Sequence, residues 1–226
     1  MNKAINIILG VILFPTMFLA IYVGLDIPIG FLRVSGANLP YRDEILLGLG
    51  LLLFIIILRR SIRRWMGLRI VNQVGKFKWN APVSQARKSR VRMYLLMEAA
   101  VMLVVAFGLY TLAELAIAPA IAFLFGTVDN ILFALSAKKY RIGLSSKALI
   151  VADREVILLY FTGLRKVSAH QQSTFFDYIK GLQITFPTNC VKDEDKAEFF
   201  EALQGQLDTD RVFFSKTMDH AEKPTS

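Results

Sequence analysis

Cysteine occurs once in 226 residues and histidine twice. A single thiol closes no intramolecular disulfide, which removes a cystine-stapled framework. Cys190, His170 and His220 stand apart, and neither Cys-x-x-Cys nor His-x-x-x-His spacing is present, so no metal centre is expected. The chain also lacks a glycine-rich phosphate loop, a Gly-x-Ser-x-Gly elbow and a His-Glu-x-x-His pair. No cofactor is implied, and no enzyme class. The last shortage is local: residues 59–92 hold eleven Lys and Arg and no Asp or Glu, in a chain of net charge +9. Sixteen basic and eighteen acidic residues remain outside it, a balance of −2, so the basic character belongs to one segment.

What is abundant is apolar. Hydrophobic residues make up 54% of the chain, with a mean hydropathy of +0.47, high for a soluble globule. They are bunched into four runs, Ala4 to Leu25, Ile45 to Leu58, Met93 to Ala113 and Ala116 to Leu135. Each approaches or meets the roughly 20 residues that cross a hydrocarbon core. Four transmembrane helices are therefore expected, over about 4–25, 42–60, 93–113 and 116–136, within a membrane region of residues 1–136. The first run also has the character of a signal peptide. Its 22 residues exceed a usual signal core and no clean small-x-small site follows, so it is expected to stay as an anchor.

Orientation follows from the basic residues near the helix ends, because short Lys/Arg-rich loops stay cytoplasmic. Residues 26–44 carry only Arg33 and Arg42 against Asp26, Asp43 and Glu44, whereas the 59–92 connection carries the eleven. The first connection is placed outside and the second inside. The link at Glu114 then turns outside, and the fourth helix returns to Lys138, Lys139 and Arg141. Both termini are expected in the cytoplasm of a bacterial inner membrane.

From Tyr140 the apolar runs shorten. YRIGL, KALIVA, EVILLYF, LRKVS, QSTFFDYI and GLQITFP are six candidate strands, several separated by turn signals such as Leu-Ser-Ser and Thr-Gly. Short consecutive strands with tight turns favour antiparallel pairing. DEDKAEFFEALQGQL then places Ala197, Phe200, Leu203 and Leu207 on one helical face, with Phe199 beside it and an acidic N-terminal turn. Residues 137–208 are thus expected to form a small α+β domain. The tail, 209–226, ends polar, although Val212, Phe213 and Phe214 offer a docking point.

The order YRIGLSSKALIVADREVILLYF, LRKVSAHQQ, a last strand and DEDKAEFFEALQ resembles the bacterial pleckstrin-homology-like (PH-like) domain. The resemblance covers residues 138 to about 208 and rests on order and length. It implies a bent antiparallel sheet closed by a C-terminal helix, held on the cytoplasmic side of transmembrane helices, and a role in binding or assembly rather than catalysis. In the lipid-binding branch of that fold, several basic residues around the first hairpin grip inositol phosphates. Here that region offers only Arg141, Lys147 and Arg154.

Two groups of residues are candidates for function. In the basic segment, Ile62, Trp65, Met66 and Ile70 follow helical spacing, interrupted by Arg69. A basic helix with a Trp in its apolar stripe lies on anionic headgroups, so Arg59, Arg60, Arg63, Arg64, Trp65, Lys76, Lys78 and Trp79 are expected to contact the membrane surface. Basic residues interleaved with aromatics also suit phosphate contacts on nucleic acid, but no reading module accompanies them, and no nucleic-acid partner is expected. Within the apolar runs, Glu98, Asp129 and Asn130 are the polar candidates, an ionisable group at depth being costly. Glu98 and Asp129 lie within about 10 Å of the inner surface at 1.5 Å per residue. They are read either as a paired-carboxylate proton or cation site, or as acids paired with the basic collar of Arg90, Arg92, Lys138 and Lys139. The shallow depth and the lack of a third ligand favour the second.

The expected protein is therefore a membrane-embedded interaction or regulatory module, with anionic lipid and a protein partner or a second copy as partners. The rivals are a small ion-coupled transporter using Glu98 and Asp129, and a membrane enzyme acting on lipid.

Overall fold

The computed structural model describes residues 2–28, 34–112, 116–170, 173–207 and 212–214. The chain forms two compact units, one of residues 1–63 and 93–135, the other of 64–92 and 136–226.

The first unit is helical. It comprises α1 (Asn2–Gly24), most of α2 (Arg42–Val71) and α3 (Gln85–Leu112), and α4 (Ile117–Leu135). Three helices are long and apolar enough to cross a membrane, at Arg42–Val71, Gln85–Thr111 and Ile117–Lys139. In α1 the apolar helical stretch that qualifies, Val11–Gly24, is shorter. Ala20, Leu46, Leu53, Ala106, Leu109, Ala120 and Phe123 form the core of this unit. Small residues allow the close contacts: a Cβ on Gly50 would come 2.6 Å from the Ala118–Pro119 backbone of α4, and one on Gly126 would come 3.0 Å from the Met102 sulfur. Phe54 and Phe125 pack with ring centroids 5.1 Å apart. Leu51, Ile55, Val104, Phe107, Ile121 and Leu132 point outward and are exposed. So much outward apolar surface suits lipid rather than water.

Among the described residues the second unit holds the strands. The six expected strands are present: β2 (Arg141–Leu144), β3 (Ala148–Ala152), β4 (Val156–Tyr160), β5 (Leu164–His170), β6 (Ser173–Tyr178) and β7 (Gln183–Pro187). Two more join them, β1 (Trp79–Pro82) and β8 (Phe213–Phe214), making two four-stranded sheets ordered β1-β2-β3-β4 and β7-β6-β5-β8. All pairings are antiparallel except β5 with β8. Helix α5 (Lys196–Gln204) buries Phe199, Phe200 and Leu203. The Phe199 ring packs tilted against Trp79 of β1 at 5.1 Å and stacks on Phe186 of β7 at 5.5 Å, so one side chain touches both sheets. Ala197, expected on the same face, is exposed.

The largest departure from expectation lies at residues 59–92, which are not a basic loop, and the second unit does not begin at 137. Helix α2 continues to Val71, where the Asn72 side chain turns back to donate to Leu68 O at 2.7 Å and to Lys139 O at 2.9 Å. Its last turns pack on the sheet, because a Cβ on Gly67 would overlap a methyl of Val156 in β4. Strand β1 then pairs with β2 in the register Trp79↔Leu144 to Pro82↔Arg141. Gly143 admits the Phe77 ring, to which an added Cβ would come within 2.6 Å. Helix α3 starts at Gln85, with Ser84 Oγ accepting from Arg87 N at 3.3 Å as an N-cap. A four-residue strand ending in proline inside a basic run carries too little pattern to be read from sequence. It forms because β2 offers an unpaired edge, where Pro82 is tolerated.

Candidate functional site

The polar candidates of the helical unit come together on α2, α3 and α4. Arg60 Nη1 and Nη2 both bond the Glu98 carboxylate, the second at 3.1 Å. Ser61 Oγ donates to Asp129 Oδ1 at 2.6 Å. Asn130 Nδ2 lies 3.6 Å from the Met102 sulfur, and Thr127 Oγ donates to Phe123 O at 3.0 Å. Arg60 is 9% exposed and Asp129 8%, so this is an interior network. The two carboxylates are each engaged by neighbouring residues of α2 and do not form a bare dyad. Nor are these bonds made by Arg90, Arg92, Lys138 or Lys139, the collar expected to serve them. Glu114 lies outside the described residues.

This corrects the surface assignment of two arginines and one tryptophan. Arg60 binds Glu98, and Arg64 is 2% exposed, among the most buried large side chains in the chain. Helix α2 turns Arg60, Ser61 and Arg64 inward while Ile62, Met66 and Ile70 are exposed, the reverse of a helix lying in water. Trp79 is buried against Phe199 and is no interfacial anchor. Arg59, Lys76 and Lys78 are exposed, Arg63 is half-buried, and Trp65 lines a cavity of about 390 Å³ with Leu68, Arg69, Asn72, Gln73 and Lys139.

The second unit contains a buried ionic cluster that sequence reading missed. Asp153, in the β3–β4 turn, is 2% exposed and accepts from Arg87 Nε at 2.9 Å. Cys190 Sγ is 4.0 Å from the same carboxylate, and Glu155 N donates to its other oxygen at 3.4 Å. Arg64 and Asp153 both act electrostatically on the buried Tyr140. Burial, helped by the Asp153 charge and opposed by Arg87, pushes the Cys190 thiol up to about 12. It stays protonated and is no nucleophile. The same two causes, burial first and then Asp153, raise the Tyr140 phenol. Asp153 reads as a turn residue in Ala-Asp-Arg. Its only sequence signal is that its neighbours Ala148 to Ala152 are all apolar, which predicts burial on both sides.

Ser145, expected in a turn, receives Lys147 N and Ala148 N at 3.3 and 3.0 Å, as a turn hydroxyl does. The His170 side chain lies outside the described residues. Among the described residues no group of three His, Cys, Asp or Glu is placed to hold a metal ion. Comparison with protein-family models, with curated proteins and with solved structures returns no match.

Proposed function

We propose that the chain is a four-span protein of a bacterial inner membrane, both termini cytoplasmic, whose sheet unit is a PH-like interaction or regulatory module at the membrane face. The observation that carries this reading is the threading of the sheet. Strand β1 lies in the connection between α2 and α3, and β2 follows α4, so an apolar helical hairpin is inserted between two paired strands. A partner held by the sheet is thereby linked through the backbone to three helices. Two four-stranded sheets with one apolar-faced C-terminal helix support the PH-like resemblance. The exposed edge strands β4 and β7 suit pairing with a protein partner or a second copy. Arg59, Lys76 and Lys78 suit anionic headgroups.

A transporter built on Glu98 and Asp129 is disfavoured because Arg60 and Ser61 already engage both acids. For a lipid-acting enzyme the Cys190 thiol, buried and held protonated, supplies no nucleophile.

Purification of the full chain in a mild detergent, followed by mass spectrometry of what remains bound, tests the module reading. A co-purifying protein or a stable homo-oligomer is expected. Monomers with nothing bound, together with ion flux in vesicles that Glu98→Ala abolishes, would replace it with transport. Orientation is tested with Lys76→Cys in a Cys190→Ser background. An impermeant maleimide is expected to label inverted vesicles and not intact cells.

A further inference from the structure

The residues Gln85, Lys88, Ser89 and Arg92 recur at i, i+3, i+4 and i+7, so they share one face of the first two turns of α3. That face lines a cavity of about 360 Å³ with Ala137 and Lys138 from the 3-10 turn that follows α4. Three cations, an amide and a hydroxyl line it, and among the described residues no carboxylate does. Among the described residues Lys88, Arg92 and Lys138 enter no ion pair, whereas Arg60 is taken by Glu98 and Arg87 by Asp153. Lys192 and Arg141 add like charge around Lys88. Three converging cations without a counter-charge repel one another, and bringing in an anion relieves that repulsion.

We propose that this cavity binds a phosphate group, carried either by an anionic phospholipid headgroup or by a soluble phosphomonoester. The donors match the ligand. A phosphomonoester carries nearly two negative charges and three terminal acceptor oxygens, and the lining supplies a guanidinium fork, two ammonium groups, a hydroxyl and an amide. The place in the chain also fits. Arg92 immediately precedes the apolar run that begins at Met93, and Lys138 follows three residues after Leu135. The site is distinct from the surface residues Arg59, Lys76 and Lys78. It rests on the membrane reading only for the headgroup as a source of phosphate.

The test uses the full chain in phosphatidylcholine nanodiscs, titrated calorimetrically with orthophosphate, with and without phosphatidic acid in the disc. Saturable orthophosphate binding is expected. Lys88→Gln, Arg92→Gln and Lys138→Gln should each weaken it about tenfold, the loss of one charge-assisted contact. Lys147→Gln, Arg165→Gln and Lys166→Gln remove equal charge elsewhere and should leave it unchanged. Competition by phosphatidic acid assigns the site to a headgroup, and its absence assigns it to a soluble ligand. If neither probe binds, or if the remote substitutions weaken binding as much as the lining ones, the proposal is overturned. Lys138 is exposed, so Lys138→Gln should fold even where a multiple variant does not. A chain that proves soluble without detergent would refute the membrane reading while leaving the orthophosphate arm intact.

Discussion

The helical unit turns Leu51, Ile55, Val104, Phe107 and Ile121 outward and keeps Arg60, Ser61, Asp129 and Asn130 within, whereas the sheet unit encloses Ile142, Leu149, Phe176 and Phe199 and exposes Lys147, Arg165, Glu198 and Glu201. Both units keep apolar cores, and what differs is the outer face, apolar in the first and charged in the second. In a bilayer, burial of apolar groups drives little association, so small-residue packing and internally satisfied polar groups hold helices together. In water, the hydrophobic effect holds the aromatic core. Asp153 with Arg87 shows that the sheet unit also carries an interior ion pair, in surroundings where such a pair adds little net stability.

The sharpest break in the comparison comes at Phe199. Phe199→Ala removes the ring that touches both sheets and should cost about 3–5 kcal/mol. Denaturant unfolding of the full chain in detergent, followed by Trp79 emission in a Trp65→Phe background, measures it. A loss below about 1 kcal/mol would mean that the aromatic core is not what holds the sheets together. Next is Glu98→Ala, which strands Arg60 inside the helices and should cost about 3 kcal/mol. The double variant Arg60→Met/Glu98→Leu should regain most of that loss in thermal unfolding. Equal losses in the single and double variants would show that packing, not charge pairing, sets the cost.

Two glycines give a smaller contrast. Gly67→Ala forces a methyl onto Val156 and should cost about 1–3 kcal/mol, while a Cβ on Gly48 meets nothing within 4 Å. Gly48→Ala should therefore be neutral or stabilising by up to about 1 kcal/mol. The last contrast is a pH dependence, absent at neutral pH and gradual above pH 9. Cys190 has an ordinary value of 9.0 and is raised to about 12, so between these limits the unfolded chain has released a proton that the folded chain retains. Stability is complete below pH 9 and declines as pH rises toward 12, by up to about 1.4 kcal/mol per pH unit. Cys190→Ala should flatten that slope, leaving the part due to Tyr140. A slope unchanged by the substitution would place the thiol in contact with water.

The six strands after Tyr140 and the helix with Phe199 and Phe200 were legible because period-two and period-3.6 patterns are local. The apolar runs of α2, α3 and α4 were legible because a membrane demands length and hydropathy, which are additive along the chain. Polar candidates at Glu98, Asp129 and Asn130 stood out against that apolar background. Their partners did not, since Arg60 and Ser61 lie 38 and 68 residues away in sequence from the acids they bind. Arg60 and Arg64 looked like surface charges because eleven basic residues shared the segment. Trp79 looked interfacial for the same reason.

By itself the sequence determined where the apolar helices run, the order of six strands and the segment that holds the excess positive charge, because each depends on neighbours along the chain. Only the tertiary structure decided that the basic segment supplies a strand, that two of its arginines are interior, and that Asp153 and Cys190 share a buried cluster. Those outcomes depend on strand edges and charges brought together from distant positions. Pairing energy is set by distance in space, and spacing along the chain does not record it.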